Sequence, residues 1–228
     1  MSNYGFVKVP RSIKEAIADP LPPSPQSVSE VPKTPLAKYI TDYATQELPQ
    51  EVLNHSLRVY QYSLAIIKDQ FLSWDLDTEV LYVTCLLHDI GTTSKNMKLT
   101  KMSFEFSGGI LARDLVFERT KGNQDFAEAV CEAIIRHQDL GETGYITSLG
   151  LILQISTILD NVGLNTEFIH PDTLDAVNKA YQRKGWLNCF AAAIDNENSL
   201  KPWGHTSSLG VNEFRDSVLS NKTKYEKL

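Results

Sequence analysis

Residues Leu86–Thr93 read LLHDIGTT and close a longer apolar run, VLYVTCLL, over 80–87. A run of this kind is a buried segment, and the following His88 and Asp89 cost several kcal/mol if they are buried without partners. Leu81, Thr84, Cys85 and His88 share one face of the helix that the run predicts, with Asp89 about 100° further round. Both side chains reach one point only if it lies between their directions. A metal ion meets that condition.

Upstream, the helix around His55 carries two apolar stripes. Leu53, Leu57, Tyr60, Leu64 and Ile67 form one, and Val59, Tyr62 and Ile66 form the other, to which His55 belongs by spacing. A helix apolar on two faces is expected at the centre of a bundle, with its histidine pointing inward. Downstream, AVCEAIIRHQD sets His137 over Val130, Ala133 and Ile134, and LILQISTILD puts Asp160 on the face of Leu153, Ser156 and Thr157. Inward polar sites thus fall on successive helices in the order His55, His88-Asp89, His137, Asp160. Imidazole nitrogen with carboxylate oxygen suits zinc, iron or manganese, and ligands from separate helices converge readily in a bundle core. Taken singly, each residue has a plainer reading: a hydrogen-bonded core histidine, or an aspartate bonded to nearby backbone. The ordered set favours a metal site.

The 228 residues, 42% of them hydrophobic, suffice for one core. Residues 1–36 hold seven of the ten prolines and predict an extended, partly mobile arm with a short helix near SIKEAIA. Residues 37–228 predict an all-α bundle: long periodic segments are separated by KGN, LGETG and NVGLN, and KPWGHTSSLG forms a loop. A net charge of -6 argues against nucleic acid as the partner and for a small molecule. Three scattered cysteines without a C-x-x-C fit a reducing compartment. With no apolar run near membrane-spanning length and no basic-then-apolar leader, a cytoplasmic protein off the membrane is expected. Association with further copies of the chain is left open.

The order His55, His88-Asp89, Asp160 resembles the metal-binding signature of the HD-domain superfamily, helical proteins that are mostly metal-dependent phosphohydrolases. LNHSLRVYQYSLAI, EVLYVTCLLHDIGTT, KMSFEFSGGILARDLV, EAIIRHQDL, LGLILQISTILDNVG and KPWGHTSSLG resemble the fungal cyanamide hydratases of that superfamily, from Tyr4 onward. The resemblance implies zinc ligands at His55, His88, Asp89 and Asp160, with Asp89 also in the chemistry, and His137 and Thr157 lining the pocket. It also implies hydration of cyanamide to urea.

The residues allow that chemistry. Zinc lowers the pKa of water toward neutrality and polarises a nitrile, while His137 has a side chain suited to relaying a proton. The Thr157 hydroxyl either faces the substrate or bonds its own helix. The alternative is a phosphohydrolase acting on nucleotides or other phosphoesters. Several nucleotidases of this type carry a glutamate in the turn after the HD pair, whereas IGTT has none. Lys95, Lys98 and Lys101 would hold a phosphate or lie in a solvated loop. Glu105 either orients a ligand histidine or bonds a neighbouring helix. His170 before Pro171 marks a helix start. His205 and Trp203 belong either to a lid or to a loop anchored by a buried Trp.

Overall fold

The computed structural model describes residues 3–221 and 223–227. In chain order its helices are α1 (Ile13–Ala16), α2 (Pro35–Glu47), α3 (Gln50–Gln70), α4 (Thr78–Leu87), α5 (Ser94–Leu99), α6 (Phe104–Arg119), α7 (Gln124–Arg136), α8 (Ser148–Val162), α9 (Pro171–Ala180), α10 (Trp186–Leu200) and α11 (Glu213–Leu219). Their ends follow local chemistry. Thr34, Asp77, Asn123 and Thr147 cap α2, α4, α7 and α8, each side chain accepting a hydrogen bond from a backbone N–H of the first turn. Gly163, at φ 75°, closes α8 in the left-handed conformation that glycine adopts without penalty. His170 caps α9 by accepting from the Asp172 N–H, as the helix-start reading anticipates.

α3 is buried on both faces and packs against α4, α8, α9 and α10, the central position its two apolar stripes predict. α6 and α7 pair alongside, and α7 also contacts α4 and α8. His88 and His137 are the C-terminal caps of α4 and α7, and Asp160 lies in the last turn of α8. Three helix C-termini, where the backbone dipole leaves partial negative charge, therefore sit beside His55. That end of the bundle favours a cation. No helix among the described residues is long and apolar enough to cross a membrane.

The all-α body is as expected, its only strands among the described residues being one short antiparallel ribbon, β1 (Lys8–Pro10) on β2 (Tyr145–Thr147). Two expectations need correction. The arm is extended, but it is bound along its length. Arg11 donates to the carbonyl and carboxylate of Asp139, and the backbone N–H groups of Ser24, Gln26 and Ser29 donate to side-chain oxygens of Asp69, Thr173 and Gln61. Proline removes the donors a sheet would need. The N–H groups of Leu21, Ser24, Gln26 and Ser29 are taken by side chains of α3 and α9, while Val9 and Ile17 are buried in the core. Finally, SKNMKL is helix α5, not a loop. Thr93 caps it, Met97 is buried beneath it, and Lys95 pairs with Glu47.

Candidate metal centre

Each histidine of the predicted set has its Nδ1 tied to an acceptor. His88 Nδ1 donates to the Cys85 carbonyl (2.7 Å), His137 Nδ1 to the Ile134 carbonyl (2.7 Å), and His55 Nδ1 to Asp160 Oδ2 (2.6 Å). The first two contacts come from helical backbone three residues back, the last from α8 facing α3. A ring that donates at Nδ1 keeps its lone pair at Nε2. The Nε2 atoms of His55 and His88 are turned toward each other and toward Asp89, and that of His137 toward the other oxygen of Asp89.

His55 Nε2 lies 3.1 Å from His88 Nε2 and 3.7 Å from Asp89 Oδ2, and His88 Nε2 lies 3.3 Å from Asp89 Oδ2. A tetrahedral zinc with bonds of 2.0–2.1 Å needs ligand atoms about 3.3 Å apart. These three donors have that spacing and form a group able to hold one ion. His137 Nε2 stands 3.7 Å from the other carboxylate oxygen, Oδ1, which is buried and has no hydrogen-bond partner among the described residues. A buried anionic carboxylate with one oxygen unpartnered, set among imidazole lone pairs on both its oxygens, fits a divalent cation.

All four side chains are buried, and their protonation follows from burial and from one another. Burial pushes the His55 imidazole down to about 4, against the hydrogen bond and charge of Asp160. Burial and the neighbouring His88 also lower His137. Burial opposes a charge on His88, but the charge and hydrogen bond of Asp89 and the Cys85 carbonyl outweigh it, so His88 is raised. Burial would raise Asp89, yet His88, His55 and His137 hold it below the usual carboxylate range. The pull that draws a proton onto His88 draws any cation.

The HD domain family matches residues 52–162, from α3 to the end of α8. Over 225 residues, 99% of this chain and 100% of each relative, the chain is 62% identical to cyanamide hydratase DDI2 and to cyanamide hydratase DDI3 of Saccharomyces cerevisiae. The chain belongs to the HD-domain cyanamide hydratases. HD domains are metal-dependent, and His88-Asp89 lies within the matched residues.

Within this HD domain Asp160 stands one step behind the donor group. Its Oδ1 accepts from Arg58 Nε and Arg183 Nη1, and its Oδ2 from Arg58 Nη2 and His55 Nδ1, all at 2.6–2.8 Å. Direct coordination by Asp160 would require it to release His55 or a guanidinium. Two opposed arginines hold its carboxyl well below the usual range despite burial. The sequence reading missed both. Arg58 had a signal, being a cation inside a helix with apolar stripes on two faces; Arg183, in the polar stretch QRKG, had none. It also missed Trp186, whose buried indole stacks on His55 at 4.0 Å and 11° and donates to Asn161. The ring is thereby held from its face as well as from Nδ1.

The other singled-out residues also have definite places. Thr157 is buried and its hydroxyl donates to the Gln154 carbonyl of its own helix. Glu105 is buried and bonds His205 Nδ1 at 2.6 Å, so its visible partner lies in the loop after α10, not among the donor histidines. The buried-Trp anchor for that loop is corrected: Trp203 is 62% exposed, its indole donating to the Lys101 carbonyl, while Thr206 goes inward to Glu197 and Gln138. Gly91, in the turn after the HD pair, lies so close to α6 that a Cβ there would come within 2.1 Å of the Phe104 carbonyl. The ring of Phe104 in turn packs edge-on against His137.

Proposed function

We propose that the protein hydrates cyanamide to urea at a divalent-metal centre, with His55, His88 and Asp89 as ligands and zinc as the ion. The observation that carries the metal is the two Nε2 lone pairs of His55 and His88, each fixed by a bond at Nδ1, set against Oδ2 of a buried carboxylate whose other oxygen has no hydrogen-bond partner among the described residues. The substrate rests on 62% identity over the full length of two proteins named cyanamide hydratase. Three protein ligands leave the open position that catalytic zinc sites require. A divalent ion bound there supplies Lewis acidity, which makes water nucleophilic near neutral pH and activates a nitrile.

In this reading Asp160 acts through His55, keeping its proton on Nδ1 and raising the basicity of Nε2, and Trp186 fixes the plane of the ring. His137, held neutral by burial, takes a proton from the attacking water and returns it to the nitrile nitrogen. Thr157 spends its only O–H on Gln154, so its oxygen lone pairs remain to accept from the amino group of cyanamide. The arm serves as a brace for residues 37–228.

His137→Asn and Thr157→Val are therefore expected to keep the ion while lowering turnover by roughly 10²-fold for His137 and less for Thr157. Metal content and urea formation measured on the same preparations check both. Loss of the ion in His137→Asn would make that histidine a ligand, and a fully active Thr157→Val would leave its hydroxyl to the helix alone.

The reaction class is tested by offering cyanamide, bulkier nitriles and nucleoside monophosphates to the metal-loaded protein. The donor group is enclosed and IGTT lacks a carboxylate, so urea is expected from cyanamide, with poor turnover of bulky nitriles and little phosphate release. Efficient phosphate release without urea would establish the phosphohydrolase instead.

A further inference from the structure

His137 stands in a short turn that closes α7. It is the C-terminal cap of that helix, and the Asp139 N–H returns to the Arg136 carbonyl with His137 and Gln138 between them. A helix C-terminus leaves carbonyls without partners inside the helix, and here two side chains from elsewhere in the chain bond to them. Gln154 of α8 is buried, and its Nε2 donates to the carbonyls of Arg136 (2.6 Å) and Asp139 (3.1 Å). Arg11 of the arm also donates to the Asp139 carbonyl, from Nε at 3.0 Å and from Nη2, which pairs with Asp139 Oδ1 as well. Three donors thus converge on one backbone oxygen two residues after His137.

The ring itself is oriented by the Ile134 carbonyl at Nδ1 and by Phe104 packed edge-on. Ile134 belongs to α7, so its bond turns the ring without fixing where the helix end lies. Thr206 touches the turn at the Gln138 side chain and not at its backbone. The backbone carbonyl of Gln154 accepts the Thr157 hydroxyl, so the residue that holds the His137 turn from α8 also holds the second side chain assigned to the substrate.

A tether for the arm would be the plainer use of Arg11. The arm is already attached without it: β1 pairs with β2, the N–H groups of Ser24, Gln26 and Ser29 are bonded to α3 and α9, and Val9 and Ile17 are buried. A guanidinium fork on a carbonyl and a carboxylate of one residue fixes direction as well as distance. Gly141 leaves the space for that fork. A Cβ there would lie 2.8 Å from Arg11 Cζ, although the Gly141 backbone is outside the left-handed region that favours glycine.

We infer that Arg11 is a positioning residue for His137, its fork setting the turn from which the imidazole Nε2 faces Asp89 Oδ1 at 3.7 Å. This rests on the hydratase reading above and on the proton transfer given there to His137. Misplacing a reacting group by about 1 Å costs on the order of 10²-fold in rate, and Gln154 stays in place when Arg11 is removed, so a loss of roughly tenfold is expected.

The test is a double-mutant cycle on metal-loaded protein: wild type, Arg11→Ala, His137→Asn and the two combined, each with kcat, KM, metal content and thermal midpoint. Arg11→Ala should lose roughly tenfold in kcat while KM and metal content stay close to wild type. In the His137→Asn background the same change should cost nothing further in kcat, because the group it places is gone, while its effect on the midpoint should persist. Gly141→Ala keeps the arginine but displaces its guanidinium, and the same cycle run with it should give the same pattern. A tether alone would lower the midpoint and leave kcat per folded, metal-loaded molecule unchanged, or lower kcat equally in both backgrounds. Either result overturns the inference. A fully active His137→Asn overturns it through the proton transfer, and a wild type that forms no urea overturns the hydratase reading on which it stands.

Discussion

Asp89→Asn is expected to abolish both metal binding and urea formation, the largest functional loss available from one substitution. Asp89 supplies the only negative charge among the donor atoms, and its Oδ1 and Oδ2 face His137 on one side and His55 and His88 on the other. Asparagine keeps the shape and removes the charge, so the ion would be left among neutral imidazoles in a buried site. Stability provides a second readout. An ion at about 100 times its Kd stabilises a folded protein by about 2.7 kcal/mol, so added zinc should raise the thermal midpoint of wild type and leave that of Asp89→Asn where it was. Without metal the order should narrow or reverse, because the variant no longer buries a carboxylate with an unpaired oxygen. Full metal occupancy in Asp89→Asn would refute the ligand assignment.

Asp160→Ala should carry the largest cost in stability. Removing this carboxylate leaves the fully buried Arg58 guanidinium without a charged partner, leaves the nearly buried Arg183 with Glu226 alone, and frees His55 Nδ1. Breaking a buried ion pair by deleting one partner costs about 3–5 kcal/mol. Guanidinium chloride unfolding should show it directly, whereas the double change Asp160→Leu with Arg58→Met should lose less, since no lone charge remains at Arg58. The sign of the pH dependence follows from the same contacts. The fold depresses the Asp160 pKa, so its contribution is fully present above the unfolded value of about 3.9 and is lost as pH falls from there through the folded value. In Asp160→Ala that part of the acid sensitivity should vanish. A variant as stable as wild type would remove the clamp from the account.

The parts of the fold legible in the sequence are those set by period. The two stripes of α3 put His55 inside, and the apolar run ending at Leu87 delivers His88 and Asp89 to a buried helix end. What stayed hidden depends on partners far along the chain. Three residues of β1 have no pattern that identifies them as a strand, because Tyr145–Thr147 defines them. Asp160 shares its helix face with inward residues and so reads as a ligand; only the positions of Arg58 and Arg183 show that both of its oxygens are already engaged. Trp203 reads as an anchor by size, yet Thr206 is the residue that fits the polar niche at Glu197.

The bound arm also orders events during synthesis. It leaves the ribosome first, but its Arg11 waits for Asp139, its strand for Tyr145–Thr147, and the Gln26 N–H for Thr173, a separation of 147 residues. At translation rates of about 5–20 residues per second, the first segment made stays without its final contacts for on the order of ten seconds. Its prolines suit that interval. A segment with few free donors and a preset extended backbone offers little to wrong partners while it waits, and loses little entropy when the right ones arrive.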